Sequence, residues 1–534
     1  MKISYKIIVI SSPTIRRMNM FVLLILSLSI HTAKQLSAAD KEKDFVSPKN
    51  ELFPLGEHYS LEKGGFQLFT SADGKETLTL GGNIIARYAF WDWFGTNKGT
   101  NTNNDYRFGF QRTRLNLKYS SEDMEIFFQP QYVHMFSLPD NAVSDKTGPF
   151  GMGGLYYLHN PEENPYDFGV HQGYVQFRNI FDTGFFFKGG RFEYSDGLEV
   201  RDKKDGKKFN VLKNMRLADR MISPFGWSAF GRSFDGALAG WDDDRFNLTT
   251  SFFYPTQGGW EKDIDETIDD IKITTATLTA KKGWLIPNTE FAAFFYNYDD
   301  KRDCIQRPDN VCPSCSHADI DIQMYGGHVL GIYDLGPGQL DALLWGGGQF
   351  GDWYELDHEA YAIAGEIGYQ FTTIPWNPWF RTGYFIGSGD DNANDGDHET
   401  FFQMAPGTRK YQLYPYYDLE NNRDFFVQLI TKPSKKLTAR MDYHIVKLDE
   451  NADRWYMGTG PTQKRGRISG YIPRPSGGHD ALSQEASIIL NYALSSHCNL
   501  VTFYCHVWGE GVVKHVYEDE NEADYVSMEI QFRF

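Results

Sequence analysis

From Thr77 to Phe534 the chain alternates apolar and polar positions in short segments. In "TLTLGGNIIARYAFW", Leu78, Leu80, Ile84, Ala86, Tyr88 and Phe90 fall on one face. In "KLTARMDYHI", Leu437, Ala439, Met441, Tyr443 and Ile445 share a face, and Thr438, Arg440, Asp442 and His444 share the other. "QEASIILNYAL" aligns Ala486, Ile488, Leu490, Tyr492 and Leu494. The closing stretch "DYVSMEIQFRF" sets Val526, Met528, Ile530, Phe532 and Phe534 against Ser527, Glu529, Gln531 and Arg533. A period of two describes a strand that is wet on one side and dry on the other. Roughly eighteen such segments, separated by turn residues, follow one another to the end.

The connections alternate as well. Short ones fall near 120–123, 179–182, 241–244, 335–338, 371–374, 432–435 and 495–498. Long ones fall near 138–167, 194–230, 299–321, 389–420, 449–482 and 509–523. Short periplasmic turns and long outer loops are the pattern of an outer-membrane barrel. The expected fold is therefore all-β, a transmembrane antiparallel up-and-down β-barrel of about 18 strands with short periplasmic turns and long extracellular loops. Lipid supplies no hydrogen-bond partner to backbone, so the sheet must close on itself, with its dry face outward and its polar face toward the lumen. The last segment is then the closing strand, paired with the first. Its terminal aromatic, Phe534, resembles the signal read by the outer-membrane assembly machinery.

Composition agrees with this reading. Aromatics make up 16% of 534 residues, with 31 Tyr, 41 Phe and 12 Trp, which suits girdles at the two interfaces, as with Tyr88, Phe90, Tyr119 and Tyr492 near strand ends. The net charge of −17 argues against a nucleic-acid partner. Lys2, Lys6, Arg16 and Arg17, the apolar run Phe21–Ile30 and the small residues before Asp40 read as a secretory signal peptide cleaved after Ala39. The expected organisation is signal peptide over 1–39, a periplasmic N-terminal segment over 40–75 and barrel over 76–534. Cys304, Cys312 and Cys315 in "CIQRPDNVCPSC" suit a disulfide in an oxidising compartment better than zinc with His317 as fourth ligand. Asp390, Asp391, Asp395 and Asp397 read as a solvated acidic loop, since Gly396 is out of step with a helix-loop-helix calcium site. No cofactor or metal is expected.

Face assignment picks out the lumen. In "RTRLNLKY", Arg112, Arg114, Asn116 and Lys118 point inward together, against Thr113, Leu115, Leu117 and Tyr119 on the lipid face. Phe108 and Phe110 interrupt this pattern, which suggests a register shift there. The inward set continues with Arg87, Gln129, Gln131, Gln172, Tyr174, Gln176, Arg178, Arg381, Arg440, Asp442, Glu529 and Arg533. In "FFFKGGRF", Lys188 and Arg191 have opposite parities. Guanidinium groups fork onto carboxylates with two parallel hydrogen bonds, so an Arg-lined channel favours anions. Arg440 beside Asp442 suits acidic sugars, with cations for carboxylates and amides and acids for hydroxyls.

Four stretches carry a family resemblance: "GGRFEYSDG" at 189–197, "FGRSFDGALAGW" at 230–241, "GSGDDNANDGDHETF" at 387–401 and "DYHIVKLDENADRWY" at 442–456. Their order and spacing resemble the alginate export family of outer-membrane porins. The resemblance implies a monomeric barrel of about eighteen strands that passes a polyuronate through an arginine-rich constriction. Arg191, Arg232 and Asp235 match family motif positions, and Arg87, Arg114, Arg381 and Arg440 are the candidates for the constriction by strand position. The expected function is passive, anion-selective passage of an alginate-like acidic polysaccharide or oligosaccharide. A phosphate or general anion porin and a surface adhesin barrel are the alternatives. An enzyme barrel needs a Ser–His or Asp–His constellation at one rim. Asp442 and His444 share a face without an accompanying Ser motif, so no enzyme is expected.

Overall fold

The computed structural model describes residues 65–95, 102–144, 147–200, 207–302, 319–408, 410–458, 460–464 and 471–534. The expected signal peptide and the sequence around Cys304, Cys312, Cys315 and His317 lie outside the described residues. Eighteen strands of the described chain form the barrel: β1 (Thr77–Asp92), β2 (Asp105–Ser120), β3 (Met124–Phe136), β4 (Tyr166–Ile180), β5 (Phe185–Phe192), β6 (Phe234–Asp242), β7 (Phe246–Pro255), β8 (Ile271–Ala280), β9 (Thr289–Asp300), β10 (Ile320–Leu335), β11 (Gly338–Trp353), β12 (Leu356–Phe371), β13 (Trp379–Gly387), β14 (Asn422–Thr431), β15 (Leu437–Lys447), β16 (Ala481–Ala493), β17 (Cys498–Gly509) and β18 (Glu522–Arg533). Each pairs antiparallel with its sequence neighbour, and β18 pairs with β1, so the sheet closes. A short strand, Phe66–Thr70, lies against the periplasmic end of β1.

The alternation seen in the sequence is the alternation of the wall. Leu115, Leu117, Ile126, Phe128, Ile363, Phe380, Met441, Ile530 and Phe532 are exposed on the outside. Arg114, Asn116, Gln129, Gln131, Arg381, Asp442 and Glu529 are buried on the inside. Among the described residues no helix is long and apolar enough to cross a membrane; strands make the crossing, and closure satisfies their backbone.

Long loops fold inward. Residues 137–165 include α1 (Gly151–His159), whose first six residues are buried. Residues 193–233 include α2 (Lys207–Leu212), continued as a π-turn over Lys213–Leu217. Residues 388–421 are buried almost throughout from Thr400 onward. Near the extracellular end these loops pack as an aromatic mass against the wall: Trp91 stacks on Tyr414 at 4.8 Å and lies 4.6 Å from Tyr525, and Tyr156 meets Trp260 at 4.8 Å. This explains a departure from expectation. Phe108 and Phe110 do not mark a register shift, because the β1–β2 ladder runs through both without interruption and the β2–β3 ladder takes in Phe110 in the same register. Both point inward and are buried. At that level the inside of the barrel is a protein core rather than water, and apolar side chains belong there.

Candidate functional site

Two groups of cations line the lumen. The first sits on β1 and β2. Arg87 meets Glu529 of β18 at 2.6 Å and donates from Nη1 to the Trp227 carbonyl at 2.9 Å. Arg112 donates from Nη1 to the carbonyls of Gly226 and Ser228, each at 2.8 Å. Arg114 donates to Gln131 at 2.6 Å and to Glu193 at 2.9 Å, and Glu193 also holds His171 Nε2 at 2.8 Å. Strand alternation thus puts three guanidiniums in a row, and the loop at 225–233 presents carbonyls to two of them, Arg87 and Arg112. That loop turns back through left-handed φ values at Phe225 and Gly231, and a Cβ at Gly258 would lie 1.8 Å from the Gly231 carbonyl oxygen. Arg232, in the same loop, donates to the carbonyls of Ser223, Ala405, Pro406 and Pro461 at 2.7–3.2 Å. It fastens three loops together. Nearer the periplasm, Lys118 and Arg178 share Glu125, the lysine at 3.5 Å.

The second group joins wall and loop. Arg381 on β13 meets Asp341 of β11 and Glu366 of β12, both at 3.0 Å. Glu366 also faces Arg216 at 3.2 Å and Arg220 at 3.7 Å, both from the in-folded loop 193–233. Arg216 donates to Gln428 at 2.7 Å, and Gln428 donates to Asp442 at 2.7 Å. Asp442 pairs with Arg440 at 2.6 Å on β15, and Arg440 donates to the Tyr411 carbonyl at 3.2 Å. Arg220 donates to the Tyr411 hydroxyl at 2.7 Å. Four guanidiniums here share three carboxylates. Arg220 Nε and Arg381 Nη1 make no hydrogen bond to any described residue, although both side chains are buried. Lys410 of the loop 388–421 adds a fifth cation, donating to the Ala218 carbonyl. Burial, and then the neighbouring Arg220 charge, hold its ammonium well below its ordinary value. The arrangement offers forked N–H donors in a dry setting, which is the chemistry that takes a carboxylate from water.

A family model described as alginate export matches residues 159–523. The chain belongs to the alginate export family. No curated protein matches it. Among solved structures, Acinetobacter baumannii OccAB4 is similar with a TM-score of 0.51 at 11% identity, over 85% of this chain and 98% of that one. Pseudomonas aeruginosa OccK9 (OpdG) gives 0.53 at 9% identity, over 85% and 98%. The outer membrane protein OpdK of Pseudomonas aeruginosa gives 0.50 at 10% identity, over 85% and 98%. At such identities the likeness shows the fold. With the closed eighteen-strand wall, membership makes this an outer-membrane channel.

In this alginate export family member the expected lumen residues separate into three sets. Arg87, Arg112, Arg114 and Lys118 line the β1–β2 side. Arg381, Arg440 and Asp442 belong to the group around Glu366. Arg191 and Asp235 do not join either. On β5, Lys188 lies over the Tyr174 and Phe192 rings, and Phe192 is fully buried, so Arg191 has the outward alternation. Phe234 is buried inward, which turns Asp235 outward beside it. The two pair at 2.7 Å across strands, and Arg191 reaches Asp265 at 3.2 Å and the Val170 carbonyl at 3.2 Å. They close the wall where β5 ends short of the upper part of β4. Sequence reasoning missed Arg216, Arg220 and Lys410, which lie in loops without a two-residue period. The i, i+4 spacing of Arg216 and Arg220 in "NMRLADRM" was the available signal.

Proposed function

We propose that the channel carries an acidic polysaccharide or oligosaccharide of the alginate-like polyuronate kind, passively and with preference for anions. The group around Glu366 carries this reading: four guanidiniums from β13, β15 and the loop 193–233 share three carboxylates, and buried N–H donors on Arg220 and Arg381 are left over for a ligand. A uronate carboxylate is planar and accepts two parallel hydrogen bonds, which matches the fork. Carboxylates already present at the site keep each contact weak enough to release, as conduction needs. Because the loops occupy the lumen, a polymer passes as they yield, and their contacts with the wall set the closed state.

The test is planar-bilayer conductance of the full chain. The expected result is a reversal potential on the anion side under a salt gradient, with current reduced by mannuronate oligomers and not by neutral oligosaccharides of equal length. A cation-side reversal potential, or equal reduction by neutral sugars, removes the reading. Equal reduction by phosphate and uronate transfers it to a general anion porin.

A further inference from the structure

Phe66–Thr70 runs antiparallel to the start of β1, with Phe66 opposite Leu80, Gln67 opposite Thr79, Phe69 opposite Leu78 and Thr70 opposite Thr77; the register shifts at Leu68. The β1 edge it covers is one that β18 does not reach. The β1–β18 ladder runs from Asp92 down to Asn83, and Gly82 then exchanges both backbone hydrogen bonds with Phe534, at 3.0 and 3.1 Å. Tilted strands close a barrel with a stagger, and here the stagger leaves a step at the β1–β18 seam. Unpaired N–H and C=O groups facing acyl chains have no partner.

Register also gives the depth. Leu80 lies opposite Leu117 and Leu78 opposite Tyr119 on β2. Leu117 is 41% exposed on the outer wall. Phe66 is therefore level with a lipid-facing leucine, and Phe69 with a tyrosine of the periplasmic girdle. Opposed residues in an antiparallel ladder share a face, so Phe66 and Phe69 carry the outward face of Leu80 and Leu78. Their exposures are 63% and 50%, with Leu68 at 55%. Phe66 also contacts Phe534 at 6.5 Å, and Phe534 stacks on Phe532 at 6.1 Å. A Cβ at Gly82 would lie 2.8 Å from the Phe534 ring, so the glycine makes room for this aromatic row. The turn below is polar: Ser71, Asp73, Lys75 and Glu76 occupy it, and Lys75 pairs with Glu122 at 3.2 Å.

We propose that Phe66–Thr70 is a lipid-anchored partial strand of the wall, sealing the step at the β1–β18 seam, with Phe66, Leu68 and Phe69 in the acyl chains of the periplasmic leaflet. The occupant is lipid because the apolar face is continuous with the outer belt of the barrel and ends in charged residues where the belt ends. The boundary between N-terminal segment and barrel moves accordingly from 76 to about 66.

Single cysteines at positions 66, 67, 69 and 74, in a full chain whose five native cysteines are alanine, can be labelled with acrylodan and reconstituted into vesicles of brominated phosphatidylcholine. Heat-modifiable migration on gels verifies that each barrel is folded. The expected result is quenching at least about threefold greater at 66 and 69 than at 74, with blue-shifted emission. Weak quenching at all four positions with emission typical of water overturns the proposal. So does weak quenching with blue-shifted emission when the chain is taken with its native membrane, which indicates a protein partner. As a second variant, Phe66→Asp with Phe69→Asp is expected to leave the barrel folded while tryptic cleavage at Lys75, already exposed in its turn, becomes faster as the strand comes away from β1. An unchanged cleavage rate at Lys75 counts against a lipid anchor.

Discussion

The two arginine groups in the lumen use one side chain for different ends. On β1 and β2, Arg87 and Arg112 direct N–H donors at backbone carbonyls of residues 226–228. A carbonyl is a fixed partial charge in a loop, so these contacts hold the loop down. Around Glu366, Arg381 bonds to the carboxylates of Asp341 and Glu366, while Arg216 and Arg220 face Glu366 at 3.2 and 3.7 Å and donate to Gln428, the Tyr411 hydroxyl and the Arg216 carbonyl. Arginines gathered on a shared carboxylate repel one another and keep donors in reserve. The first group works as a latch, and the second is the proposed carboxylate path. A lumen cation therefore has to be read by what it touches, since parity alone treats both groups alike.

The largest expected effect comes from breaking the latch. Arg112→Ala combined with Arg232→Ala removes the donors that serve Gly226, Ser228, Ser223, Ala405, Pro406 and Pro461. Single-channel conductance is expected to rise several-fold with little change in ion preference. A change in preference without a change in conductance contradicts the division of labour. Next comes the path itself. Arg216→Gln with Arg381→Gln should move the reversal potential toward zero and weaken uronate inhibition, while the latch keeps conductance within about twofold of the parent.

Glu366→Gln sharpens the comparison from the other side. Removing the shared carboxylate leaves Arg216 and Arg381 less compensated in a dry site, which costs about 3–5 kcal/mol when a buried pair is broken. The folded barrel is expected to melt at lower temperature on heat-modifiability gels and to show stronger anion preference when conducting. The smallest effect is with pH. Burial raises the Asp453 carboxyl to about 6 in the loop 448–480, where it accepts from Thr400 and from the Asp390 amide. A carboxyl whose packed-state value is raised binds a proton more readily packed than released. Lowering pH from 7 to 5 therefore favours the packed loop, and opening frequency should fall in that window. Asp453→Asn should remove the dependence.

The wall was legible in the sequence because it repeats. "KLTARMDYHI" and "DYVSMEIQFRF" show their faces at a period of two, and Arg440, Asp442 and Glu529 stand inward as parity requires. Phe108 and Phe110 were misread because parity gives direction and not environment: they face a loop core where water was expected. Arg191 and Asp235 fit a motif but alternate outward, and what uses them is the edge of β4. Arg216, Arg220 and Lys410 could not be placed from sequence, since a loop's entry into the lumen is set by tertiary packing.

The most direct test of the carboxylate path is block of single-channel current by mannuronate oligomers of increasing length, in the parent chain and in Arg216→Gln/Arg381→Gln. The account predicts dwell times that lengthen with each added uronate in the parent and lose most of that length dependence in the variant. Dwell times unaffected by the two substitutions would contradict it, because the polymer would then be passing without touching the guanidiniums around Glu366.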